Sequence, residues 1–69
     1  MLAWIQLRSS VISATAYQSS SLYIRFVSGY EYEYYNVPKK IYESLIKATS
    51  VGQYFNINIK NKYECRKIF

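Results

Sequence analysis

Sixty-nine residues make one small domain, residues 1–69, and a chain of this size buries only about 60% of the surface its unfolded form exposes. One cysteine and no histidine exclude an internal disulfide and a Cys/His zinc site, so stability must come from large side chains or from association. Nine Lys and Arg against four Asp and Glu give a net charge of +5, which favours acidic partners in encounter, and no apolar run approaches the ~20 residues of a membrane span.

The N-terminal "MLAWIQLRSS" is apolar but short, with no basic n-region and no small-residue cleavage site. It reads as part of the mature chain of a cytoplasmic protein, where a free thiol stays reduced. "VISATAY" (Val11–Tyr17) is β-branched and small, which suits a strand. "QSSS" then reads as a turn of residues that hydrogen-bond their own backbone. In "LYIRFV" Leu22, Ile24 and Phe26 share one face and Tyr23 and Arg25 the other, and in "YEYEY" Tyr30, Tyr32 and Tyr34 alternate with Glu31 and Glu33. Two alternating runs around "SG" predict a β-hairpin.

The pattern also selects the register. A two-residue Ser28-Gly29 loop would set Phe26 opposite Glu31 and Ile24 opposite Glu33, placing carboxylates on the apolar face. A three-residue loop, Val27-Ser28-Gly29, pairs Phe26 with Tyr30, Ile24 with Tyr32 and Leu22 with Tyr34. It also sets Arg25 opposite Glu31, a favourable cross-strand pair. Gly29 then takes the positive-φ position of a type I turn with a G1 bulge. Since a one-residue slip would turn the apolar set outward, the three-residue loop is expected. The three tyrosines therefore share a face with Leu22, Ile24 and Phe26 and read as core. The alternative is a base-stacking platform, for which Tyr23 and Tyr35 on the opposite face are better candidates.

"NVPKKIYESLIKATS" predicts a first helix, with Pro38 at the first helical position, where its missing N–H costs nothing. Ile41, Leu45 and Ala48, with Tyr42 beside them, form a stripe expected to cover the tyrosine face. Ser50 suits the N-cap of a second helix reaching about Asn58, with Val51, Tyr54 and Phe55 inward. The tail "NKYECRKIF" alternates weakly, as a last strand or an irregular cap. The expected fold is α+β: a small antiparallel meander with two short helices on one face.

The order "SSVISATAY", "LYIRF", "SGYEYEY", "VPKKIYESLIKA", "SVGQYFNINIKNKY" resembles the KTSC domain family, a short module named for the lysyl-tRNA synthetase C-terminus. The resemblance rests on Y-x-Y (Tyr32, Tyr34), on V-P-x-x-[VI]-Y (Val37, Pro38, Ile41, Tyr42) and on S-x-G-x-[YF]-[FY]-N (Ser50, Gly52, Tyr54, Phe55, Asn56). Each motif alone is weak, and their order and spacing are specific. "TAY" at Thr15–Tyr17 departs from the family's apolar-Gly-Tyr. The family occurs fused to synthetases and as free-standing bacterial and phage proteins, and the fusion suggests RNA binding.

Chemistry has few groups to use. There is no histidine or aspartate. Glu31 and Glu33 are same-face strand neighbours ~6–7 Å apart, but Arg25 offers Glu31 an ordinary partner. Cys65 has cationic neighbours and no base beside it. The chain reads as a non-enzyme that uses no cofactor and no metal and does not enter a membrane. The leading expectation is a nucleic-acid-binding module, for RNA, using Lys60, Lys62, Arg66 and Lys67 with Tyr63 and the amides of Asn56, Asn58 and Asn61. The alternative is a protein-interaction module, such as a phage-type inhibitor of a host complex, on a face of Tyr23, Arg25 and Tyr35. A further alternative is self-association through an exposed edge strand.

Overall fold

Alternating apolar runs joined by tight turns fold back on themselves, and the described residues (2–69 of this computed structural model) form five strands and two helices. The strands β1 (Ile5–Gln6), β2 (Ile12–Gln18), β3 (Ser21–Phe26), β4 (Glu31–Tyr34) and β5 (Cys65–Lys67) lie in chain order across one antiparallel sheet. The helices α1 (Lys39–Lys47) and α2 (Val51–Asn58) fill the connection between β4 and β5. This is the expected α+β meander, with β1 as an addition that the sequence pattern did not suggest. No helix among the described residues is long and apolar enough to cross a membrane.

Turn chemistry fixes each register. Ser19 and Ser20 join β2 to β3 with φ of 53° and 65°, the positive pair that a type I′ hairpin turn requires. The next loop is the expected three-residue one: Phe26 N–H donates to the Tyr30 carbonyl at 2.8 Å, Gly29 N–H donates to Phe26 at 2.9 Å, and Gly29 has φ +105°. Leu22 then faces Tyr34, Ile24 faces Tyr32 and Arg25 faces Glu31. In β2 the register shifts between Ile12 and Ala14, leaving Ser13 as a bulge whose hydroxyl donates to the Arg25 carbonyl at 3.2 Å. Residues two apart in a regular strand share a face; the bulge instead sets Ile12 opposite Phe26 and Ala14 opposite Arg25, on opposite faces of the sheet, and both are buried.

Ile12, Leu22, Ile24, Val37, Leu45 and Ile59 are fully buried between sheet and helices. Thr15 is buried with them, and its hydroxyl donates to the Tyr23 carbonyl at 2.8 Å, which removes the cost of an unpaired polar group. In α2 the row Val51, Phe55, Ile59 at i, i+4, i+8 faces inward. Ser50 caps this helix as expected, its hydroxyl oxygen accepting from Gln53 N–H at 3.4 Å.

One expectation about α1 is corrected. Pro38 stands at the N-cap with ψ 144°, one residue before the helix, not at its first position. Leu45 of α1 shares one buried cluster with Tyr34, and Ile41 and Tyr42 pack against it. The ring contacts divide between the helices: Tyr42 stacks on Tyr17 of β2 with centroids 5.3 Å apart, and Phe55 of α2 meets Phe26 at 5.5 Å and Tyr34 at 5.7 Å. The Tyr17 hydroxyl donates to the Val37 carbonyl at 2.6 Å, which fixes the entry to α1 over β2.

Candidate functional site

The register grades the three tyrosines of one strand face. Tyr34, opposite Leu22 and under Phe55, is 6% exposed. Burial pushes its hydroxyl pKa up to about 12. Tyr32 is half-buried against Phe26, whose ring it meets edge-on at 5.7 Å. Tyr30, beyond the end of the paired region, is 52% exposed, and the reading of all three as core is corrected for this residue. α2 covers the strand face through Phe55, which meets the rings of both Tyr34 and Phe26, and Tyr30 at the hairpin end stays the most exposed of the three.

What it leaves open is a groove of about 810 Å³ between the β3–β4 hairpin, the end of α2 and the chain leading into β5. Phe26, Tyr30, Tyr32 and Tyr63 give it aromatic walls, and Asn56, Asn61 and Lys60 supply amides and a cation. Lys67 adds a second charge at the rim, its Nζ 4.1 Å from the Tyr30 ring centroid, a distance at which a cation is attracted by the ring face. Cys65 also lines the groove.

No carboxylate lines it. Glu31 accepts from Arg25 Nε at 2.7 Å on the opposite face of the sheet, and Arg25 in turn lies 4.3 Å from the Trp4 ring centroid. Glu33 accepts from the Ser21 hydroxyl at 2.8 Å and from the Tyr23 hydroxyl and Arg66 Nε, both at 3.3 Å. Burial first, and then the Glu33 charge, hold the Tyr23 hydroxyl pKa above its ordinary value. The alternation of β4 thus sends both its carboxylates to one side and leaves the groove side free of negative charge. Among the described residues no three Cys, Asp, Glu or His side chains gather as a metal site would need.

Of the residues singled out for nucleic acid, Asn56, Lys60 and Tyr63 come together in the groove and Lys67 reaches its rim. Arg66 instead stands opposite Glu33 on the neighbouring strand and pairs with it on the outer face, and the exposed Lys62 does not line the groove. Asn58 turns back on its own helix, its Nδ2 donating to the Tyr54 carbonyl at 3.3 Å. Of the candidates for a protein interface, Tyr23 and Arg25 cluster with Trp4 on the outer face, and Tyr35 is half-buried at the end of β4, its N–H donating to the Glu64 carbonyl at 2.8 Å. The roles of Tyr30, Phe26 and Cys65 as groove walls were missed. Alternation shows which face a side chain takes and carries no signal for where a helix ends above it.

Residues 8–63 match the KTSC domain. The chain is 41% identical over 61 residues to a lysine–tRNA ligase of Nostoc punctiforme, a match covering 86% of this chain and 11% of the ligase. It is 35% identical over 57 residues to a protein of Tsukamurella paurometabola, covering 80% of this chain and 85% of that protein. A crystal structure of a KTSC domain protein from Yersinia pestis superposes with a TM-score of 0.91 at 32% identity, over 100% of both chains. The chain spans only a small fraction of the synthetase and nearly the whole of the free-standing relatives. It belongs to the KTSC domain family.

Proposed function

We propose that this protein is a small non-enzymatic module that binds single-stranded nucleic acid, RNA in the first instance, in the groove on its tyrosine face. The observation that carries the reading is the groove's lining: aromatic walls with Lys60, Lys67 at the rim and no carboxylate. Unpaired bases stack on such rings for ~1–3 kcal/mol each, and phosphates are attracted by the cations. The similarity to a domain-sized stretch of a lysine–tRNA ligase supports RNA over DNA. A second reading, a protein partner on the outer face, is favoured by Trp4, Tyr23 and Arg25 forming one cluster of the residue types that dominate interface hot spots.

Titration with a short unstructured RNA at two salt concentrations tests the reading. Lys60→Gln with Lys67→Gln should weaken binding to all sequences and lower the salt slope by about one to two units. Arg66→Gln, whose cation faces Glu33, should do much less. A parent protein that shows no binding at low salt would end the nucleic-acid reading and favour the outer face.

A further inference from the structure

Resting on the nucleic-acid reading, we infer that the groove selects unpaired purines over pyrimidines. The polar groups among its walls are amides, an ammonium and hydroxyls. Asn56 projects from α2, and Asn61, with a positive φ of 64°, lines the same groove. The Asn58 amide is already engaged with Tyr54. No such bond engages Asn56 or Asn61 among the described residues, so both amides are available to a ligand.

An asparagine amide pairs in bidentate fashion with N6 and N7 of adenine, and a lysine ammonium donates to O6 and N7 of guanine. The natural partner of the cytosine amino group is a carboxylate, and the groove has none. Its polar equipment matches the N7 edge that only purines carry, while the amide oxygen and NH2 of asparagine can also meet the Watson–Crick edges of uracil and cytosine, so the discrimination rests on that edge and on the second ring. The rings act in the same direction, because a two-ring base offers more face to Tyr30 and Tyr63 than a one-ring base does. Bases paired in a helix present no free face to these walls, so the selection applies to loops, bulges and ends. The groove volume of about 810 Å³ lies in the range of sites that enclose a small ligand, ~300–1,000 Å³. It therefore takes a short stretch of strand and leaves the rest to the surface cations.

The full 69-residue chain is titrated by fluorescence polarisation with labelled eight-nucleotide oligo-A, alternating A/G, oligo-U, oligo-C and an RNA duplex. In parallel, the rate of Cys65 alkylation by iodoacetamide is followed, since this thiol lines the groove and is the only one in the chain. The expected result is about tenfold tighter binding of the purine oligomers than of oligo-U or oligo-C, the size of one good added contact. Saturating oligo-A should slow alkylation. Asn56→Ala with Asn61→Gly, both at exposed positions, should lower the purine ratio several-fold, leaving the part due to stacking. Equal affinity for all four single strands, with Cys65 protected, overturns the purine inference and leaves the nucleic-acid reading standing. Binding that leaves the alkylation rate unchanged places the strand elsewhere and overturns it as well. Absence of binding by every oligomer overturns both and favours the outer face.

Discussion

Replacing Tyr34 and Tyr30 by alanine, one at a time, separates folding from binding along a single strand. Tyr34 is 6% exposed and wedged against Phe55 at 5.7 Å. Truncating a buried ring costs ~3–5 kcal/mol, lost transfer energy and residual cavity together. A 69-residue domain has a total stability of about 3–10 kcal/mol, so Tyr34→Ala removes a large part of it. For a domain of this size each kcal/mol shifts Tm by ~4–8 °C, which gives a drop of at least ~12 °C and partial unfolding at room temperature. Tyr30 is 52% exposed, with the Lys67 ammonium 4.1 Å from its ring centroid. Its loss costs about 1–2 kcal/mol, of which the cation–ring attraction is ~0.5–1 kcal/mol. Circular-dichroism melts and urea midpoints measure both. The folded Tyr30→Ala protein should in addition bind single-stranded RNA ~5- to 150-fold more weakly, the equivalent of one lost stack. If Tyr34→Ala melts within a few degrees of the parent, or Tyr30→Ala unfolds as severely, the division of the strand into core and groove is wrong.

Alkaline pH should unfold the protein through Tyr34. Its folded pKa of about 12 lies above the ordinary 10.0, so the neutral hydroxyl's contribution, on the order of 3 kcal/mol, is complete below pH 10 and is lost as pH rises to about 12. Tyr34→Phe should remove that slope from a pH series of urea midpoints. The two glycines should respond differently to alanine. Gly29→Ala meets no atom within 4 Å but must adopt φ +105°, and strain of this kind costs on the order of 1–3 kcal/mol. Gly52→Ala gains ~1 kcal/mol of helix propensity but sets its Cβ 3.2 Å from Val11 Cγ2. It should be near neutral alone and stabilising once Val11→Ala clears the contact, which thermal melts of the single and double variants will show.

The hairpin could be read to the residue because two independent constraints agreed. Only one loop length keeps glutamates off the apolar face, and the same length pairs Arg25 with Glu31, which lie 2.7 Å apart. The α2 cap was legible for a similar reason, Ser50 standing just before the Val51–Phe55 row. What escaped depends on contacts distant in sequence. The two-residue β1 has no pattern of its own and is held by its pairing with Ala14 and Thr15. Trp4 lies near Tyr23 and Arg25, which nothing in "MLAWIQ" signals. Arg66 and Lys67 are adjacent in a basic run, yet β5 sends one to Glu33 and the other to the Tyr30 ring. A charge count treats them alike, and a strand separates them.

The groove itself follows from economy of length. Helices of nine and eight residues reach about 12–14 Å, while five strands at ~4.8 Å spacing span about 19 Å between the outer two. The hairpin end of the sheet face stays uncovered, with Tyr30 52% exposed. Leucine or isoleucine there would make an aggregation-prone apolar patch. Tyrosine offers a ring for contact and a hydroxyl that remains hydrated, so the open end of the face can stay wet without a partner. The cations act in the same sense. Arg66 and Lys67 on the short edge strand β5 discourage strand-to-strand association between copies. A chain too short to close over its own sheet thus keeps an aromatic, positively charged opening, and the side chains that make that opening tolerable in water are the ones suited to stacking on an unpaired base.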